Sequence, residues 1–291
     1  MKISVINTGN ELLKGATVNS NLAFLGQKLT AAGIIPGRAA IVPDCAESMA
    51  DALASLSPVS DVIIITGGLG PTVDDITRQV VCSFFGLQLA EDPELRKKLE
   101  GYWECLKRGH APEELFSQAM VPEHAIVMEN RNGTAPGLWI NAQKDGAAKL
   151  IILLPGPPSE LEPMFMEEVM PRLEAIAADR TFTEHFMIAG GAELIVQKQV
   201  EAAIENLPVD SAYCASAEGV RVFLSGTDRT MLKVKAAELK ELFGSAVLAN
   251  NSLSLTEEVS FRLREQKMTL ATAESCTGGM IAAAITGLAG S

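Results

Sequence analysis

Apolar and polar positions follow two different rhythms along this chain, and the change comes near Leu173. In the first part, short apolar runs alternate with segments of helical spacing. ISVIN from Ile3, AAIVP from Ala39, VIII from Val62 and KLIILL from Lys149 are the apolar runs. Such runs suit strands of a parallel sheet that is covered on both faces. Between them, Leu22, Leu25 and Leu29 share a helical face that Gly33 closes. Met49, Leu53 and Leu56 share another, behind Asp44 and Glu47 at capping-box spacing. The stretch ITRQVVCSFF reads as a third helix. This βαβαβ order predicts an α/β domain, doubly wound and three-layered, whose ligands sit beyond the carboxyl ends of its strands.

After Leu173 the elements shorten and change order. FTEHFMIAG, SAYCAS, VRVFLSG and SAVLAN read as strands, with AELIVQKQVEAAIENL and MLKVKAAELKELFG as helices. The result is a small βαββαβ unit of α+β type. A last segment holds a helix behind Ser254 and Glu257, a strand MTLATA, a loop ESCTGG and a helix start at MIAAAITGLAGS. One helix–strand–helix cannot bury its own apolar faces, so it docks elsewhere or the natural chain continues. The expected domains are 1–173, 174–251 and 252–291.

Composition narrows the function classes. Net charge is −12, which repels a phosphate backbone unless basic residues cluster locally. No nucleic-acid partner is expected. The five cysteines are dispersed without a CxxC pair, which points to reduced thiols and a cytoplasmic protein rather than a disulfide framework. No apolar run reaches about 18 residues, so no membrane span is expected.

The strongest chemical signal is TGGLGPTVDD, residues 66–75. A glycine-rich turn between strand and helix offers backbone N–H groups and a helix N-terminus to an anion. No Lys follows it as in a Walker loop, and Val73 stands where a dinucleotide fingerprint needs its third glycine. Two accounts fit Asp74 and Asp75. In one, Thr72 is the N-cap, Asp75 completes a capping box and Asp74 pairs with Arg78 at i,i+4. In the other, both carboxylates hold a divalent ion, Mg²⁺ or Co²⁺, against a substrate phosphate. Glu11 and Glu160 each read either as a helix-start cap or as part of the chemistry. NGTAPG, residues 132–137, reads either as an ordinary turn or as a place where ligand approaches backbone.

GNELLKG, VNSN, TGGLGPTVDD, QAMVP, NGTAPG and LPGPPSELEPMF occur in the order found in the CinA (competence/damage-inducible) family, which the chain resembles over its whole length. AESCTGG resembles the start of that family's C-terminal domain. The resemblance implies a MogA-like first domain, related to the molybdopterin-binding MogA and MoeA proteins, followed by a KH-type domain. It implies metal-dependent hydrolysis of ADP-ribose to AMP and ribose 5-phosphate, a nucleotide-like substrate and a homodimer. Carried onto this sequence, Glu11, Asp74, Asp75 and Glu160 would be catalytic, with Asp74 and Asp75 on the metal. Asn21, Gly67, Gly68, Gly70, Pro71, Thr72, Gly133, Thr134, Ala135, Pro155, Gly156 and Pro157 would bind substrate. The other outcomes carried in this comparison are molybdopterin-type ligand binding and a non-catalytic regulatory or interaction protein.

Three departures qualify the resemblance. Phe116 and Ser117 precede Gln118 and Ala119, where the family usually has a basic residue. The chain ends at Ser291, read as a truncated nicotinamide mononucleotide deamidase domain in which Ser275 is vestigial, an N-cap rather than a nucleophile, and no deamidation is expected. The KH-like span lacks the GxxG loop that clamps RNA. It carries nine acidic and six basic residues between Thr181 and Asn250.

Overall fold

The computed structural model describes residues 1–291 apart from Arg108, Asp179, Asn250, Asn251 and Leu253. The chain forms two compact units, Met1–Arg180 and Thr181–Ser291.

Unit 1 contains β1 (Ile3–Thr8), α1 (Asn10–Leu13), α2 (Ser20–Ala31), β2 (Pro36–Val42), α3 (Ala46–Leu56), β3 (Val62–Thr66) and α4 (Thr77–Phe85). These are followed by β4 (Leu89–Glu91), α5 (Pro93–Cys105), β5 (Met120–Pro122), β6 (Ile126–Met128), β7 (Gly137–Lys144) and β8 (Ala147–Leu154). The unit closes with α6 (Pro158–Met164), a π-helical turn Phe165–Val169 and α7 (Met170–Ile176). The main sheet has the order β2-β1-β3-β8-β7-β6. Its first four strands are parallel and its last two antiparallel.

The period-2 geometry of a strand explains the three layers. Along β3, Val62 and Ile64 face one core with Leu25 and Leu29 of α2 and Phe165, Met170 and Leu173 near the unit's end. Ile63 and Ile65 face the other, with Met49 and Leu53 of α3 and Val81 and Phe85 of α4. Leu150 and Ile152 of β8 join the first core, and Ile151 and Leu153 the second. Both faces being covered, these strands need no polar alternation.

The sheet differs from the expected parallel one at β6 and β7. Asp145 and Gly146, both at positive φ (51° and 78°), turn β7 back into β8. Asp-Gly is the preferred pair for a two-residue hairpin turn, so this hairpin carries a local signal. The capping box at α3 does not form. Cys45 is the N-cap, and Asp44 instead accepts hydrogen bonds from Thr8 Oγ1 (2.8 Å) and the Asn10 amide (3.0 Å).

Unit 2 contains β9 (Phe182–Ala189), α8 (Glu193–Ile204), β10 (Asp210–Ser216), β11 (Gly219–Gly226) and α9 (Arg229–Phe243), then α10 (Leu255–Glu265) and α11 (Met280–Thr286). Its antiparallel sheet has the order β10-β11-β9, and both α8 and α9 pack on it. SAVLAN is no strand: a single bridge joins Val247 to Ile188, and Asn250 lies outside the described residues. MTLATA is not a strand either; residues 268–273 are exposed and unpaired by any sheet. A strand needs a neighbour to take its backbone groups, and residues 268–273 find none among the described residues. The Ser254 hydroxyl does cap α10, accepting from the Glu257 amide at 3.1 Å.

Candidate functional site

Parallel pairing places the carboxyl ends of the central strands side by side. Thr8 pairs with Val42, Asn7 with Thr66, and Thr66 with Leu154. The loops that leave these ends enclose a cavity of about 380 Å³, within the roughly 300–1,000 Å³ usual for small-molecule sites.

The glycine turn after β3 is held from beneath by two residues of α4. Thr77 Oγ1 donates to the Gly67 carbonyl (2.8 Å) and the Thr77 amide to the Gly68 carbonyl (3.1 Å). Arg78 Nη1 donates to the Leu69 carbonyl (2.8 Å), and Nη2 to the Gly70 carbonyl (3.4 Å). Four consecutive carbonyls are thus drawn toward the helix. A trans peptide sets its C=O and the following N–H on opposite sides, and no peptide here is cis. The N–H groups of Gly68, Leu69 and Gly70 therefore turn outward, onto the cavity that these residues line. None of the three donates to backbone or side chain among the described residues. Successive amides presented this way make an anion-binding concavity.

Glycine is required here by geometry. Gly67 and Gly68 have φ of +96° and +66°. A Cβ on Gly67 would lie 2.7 Å from the Thr8 carbonyl oxygen, and one on Gly68 would collide with Thr77 Oγ1. Arg78 is 1% exposed. Burial pulls its pKa down to about 10, opposed by the charge of Asp75, so it remains a cation beneath the turn at neutral pH.

Twelve sequence-predicted residues meet at this cavity: Glu11, Gly67, Gly68, Gly70, Pro71, Asp75, Thr134, Ala135, Pro155, Gly156, Pro157 and Glu160. Asn21 lines an adjoining hollow of about 310 Å³ that shares Thr8, Glu11, Gly156 and Pro157 with the first, and its Nδ2 donates to the Gly156 carbonyl (2.7 Å). Gly133 lies behind the wall, where Glu160 fills the space its Cβ would need. Thr72 and Asp74 are exposed and do not line the cavity. Ser275 belongs to unit 2 and is exposed.

The capping account of the aspartates is corrected in its details. Helix α4 starts at Thr77 with Ile76 as N-cap, and Thr72 lies in the turn before it. Asp75 Oδ2 accepts from the Thr72 amide (2.9 Å) and hydroxyl (2.6 Å), closing that turn on itself. Arg78 is occupied with Leu69 and Gly70 rather than with Asp74. Ser275 is not an N-cap: Gly279 holds that position in α11, and Glu274 accepts from the Ile281 and Ala282 amides.

The carboxylates do not converge on a cation. Glu160 Oε2 accepts from Asn130 Nδ2 (2.6 Å), Asp44 serves Thr8 and Asn10, and Asp75 serves Thr72. Among the described residues, no group of three or more His, Cys, Asp or Glu is placed to hold a metal ion. Asp75 lines the cavity and Asp74 does not, so the two are not presented to it as a pair. A further hollow of about 570 Å³ lies between α5 and the 129–136 loop and shares Thr134 with the site.

Sequence reasoning did not single out Thr8, Gly9, Asp44, Leu69 and Gln118 as lining residues. Gln118 did leave a trace, as the first residue of the QAMVP motif.

Comparison with known proteins agrees with this geometry. Residues 4–175 match the family described as "Probable molybdopterin binding domain", and residues 252–291 match the CinA C-terminal domain. The C-terminal domain is thus present in the chain. A CinA-like protein of Akkermansia muciniphila is 41% identical over all of this chain and 69% of its own length. A protein of Clostridium beijerinckii, named provisionally as competence-damage inducible, is 37% identical over 97% of this chain and 69% of its own. The crystal structure of the protein CinA with unknown function from Thermoplasma acidophilum is 34% identical, with a TM-score of 0.52, covering 60% of this chain and 97% of that one.

These findings overturn the ADP-ribose reading. The matched domain is described by molybdopterin binding, and the two relatives above are named as CinA-like and as competence-damage inducible, not as pyrophosphatases. The expected hydrolase assignment goes with it: Asp75 closes a turn on Thr72, and Asp74 lies outside the cavity. No helix among the described residues is long and apolar enough to cross a membrane.

Proposed function

The chain belongs to the CinA family, and from that premise we propose that unit 1 binds a molybdopterin-type ligand, a pterin bearing an anionic group, in the cavity above the glycine turn. The observation that carries this reading is that Thr77 and Arg78 hold the carbonyls of Gly67 through Gly70 while the amides of Gly68, Leu69 and Gly70 have no acceptor among the described residues. Hydrogen bonds to a charged acceptor are about twice as strong as neutral ones. Because the amides are preorganised, little ordering cost remains when a phosphate arrives. Three of the carboxylates at the cavity, Asp44, Asp75 and Glu160, accept hydrogen bonds from Thr8, Thr72 and Asn130.

The test is calorimetric titration with 6-hydroxymethylpterin phosphate and with the same pterin lacking phosphate, using the natural chain and Gly68→Ala. Loss of the phosphate should weaken binding by roughly a hundredfold. Gly68→Ala should abolish the difference while the circular dichroism of the sheet persists. Equal binding of both pterins by the natural chain would remove the nest from the reaction with ligand.

Unit 2 is read as a KH-type module that serves protein contacts rather than RNA. Its β-α-β-β-α order supports the first part. Between Thr181 and Asn250, the span that holds these elements, the absence of a GxxG sequence and the excess of nine acidic over six basic residues support the second.

A further inference from the structure

Gln118 also lines the cavity, carried by the short 3₁₀ segment Glu113–Ala119. Its side chain is 0% exposed. Neither Oε1 nor Nε2 has a hydrogen-bond partner among the described residues. Buried polar groups are nearly always satisfied, so a buried amide orphaned at both ends beside a cavity calls for a partner that occupies the cavity.

We infer that Gln118 determines ligand specificity by reading a heterocycle edge on which a hydrogen-bond acceptor adjoins a donor, as in a lactam. A carboxamide offers one acceptor and one donor side by side. A lactam C=O beside its N–H complements both at once, in one plane. Two other amides nearby offer less. Asn19 Oδ1 caps α2 and leaves only Nδ2 without a partner, while Asn21 Nδ2 is bound to Gly156 and leaves only Oδ1. Only Gln118 among them can form the paired contact. Leu115, Phe116 and Ala119 of that same segment pack with Leu99 of α5, which anchors the segment and limits the freedom of the amide.

This inference rests on the binding reading above and deepens it. The nest takes the anion regardless of what the anion is attached to, whereas Gln118 chooses the ring. A site built to bond a polar edge rejects ligands lacking it, because its own buried groups are then left unpaired.

The experiment compares three probes by calorimetry: 6-hydroxymethylpterin phosphate, its 3-methyl analogue, in which the lactam N–H is blocked, and inorganic phosphate. The natural chain should prefer the unmethylated pterin by about tenfold or more. Gln118→Met, similar in length and unable to donate, should bring the two pterins within about twofold of each other and leave phosphate binding unchanged. Retention of the preference in Gln118→Met overturns the inference and assigns the orphaned amide to ordered water. Equal affinity of the natural chain for both pterins overturns it without recourse to any variant, so a misfolded Gln118→Met does not spare it. Phosphate binding without pterin preference removes Gln118 alone. Failure of the natural chain to bind any probe removes the binding reading together with it.

Discussion

Arg78, almost wholly buried, donates from Nη1 to the carbonyl oxygen of Leu69 at 2.8 Å. That bond makes the buried cation a brace for the loop above it. Replacing it in Arg78→Met leaves the carbonyls of Leu69 and Gly70 without their donor. We expect a loss of about 2–4 kcal/mol in stability, measured by urea unfolding, and loss of phosphate binding in the fraction that remains folded.

Asp75 is placed to close a turn, through Thr72. In Asp75→Asn the side-chain carbonyl can still accept from Thr72, so stability should change by no more than about 1 kcal/mol. Removing a negative charge from the lip should raise phosphate affinity by about threefold. Titration with and without EDTA should give the same affinity in both proteins. A variant that loses binding, or binding that needs Mg²⁺, would return Asp75 to a metal-holding role.

Cys45 sits at the N-cap of α3. The Ser48 amide, then the Glu47 amide and the Ser48 hydroxyl, lower its thiol pKa below the ordinary value of 9.0. Cys82 is buried and pushed up to about 11. Iodoacetamide labelling followed by mass spectrometry should find Cys45 modified with a pH midpoint below 9.0. Ser48→Ala should move that midpoint upward, and Cys82 should stay unlabelled in the folded protein.

Glu274 accepts from the Ala282 amide (2.9 Å), the Thr277 hydroxyl (2.7 Å) and the Ile281 amide (3.1 Å). These bonds lower its pKa below 4.5, the Ala282 amide contributing most. The stability they supply is present above that ordinary value and is lost as pH falls through the lowered one. Amide resonances of Ile281 and Ala282 should shift together as pH drops below 4.5, and Glu274→Ala should reproduce the acidic state at neutral pH.

Much of unit 1 was legible in order. Continuous apolar runs at Val62 and Lys149 became central strands, and Leu25, Leu29, Met49 and Leu53 became buried helix faces. Those features are local: a residue's neighbours at spacing two or three to four reveal its face. Asp145-Gly146 marks the hairpin of β7 and β8, but the apolar run at Lys149 does not by itself show which strand pairs with it. SAVLAN and MTLATA were over-read, since β-branched or apolar composition does not supply a neighbouring strand.

The sequence by itself determined that a glycine turn would follow a buried strand, that twelve residues of its motifs would gather at the strand ends, and the family to which the chain belongs. What those residues do was decided only by the tertiary structure. Thr77 and Arg78 orient the amides of the turn, Asp75 and Asp44 are consumed in holding loops, and Gln118 is left with an unmatched amide. The physical reason is that burial follows from local periodicity, whereas the partner of a polar group depends on which distant segments the packed core brings within hydrogen-bond reach.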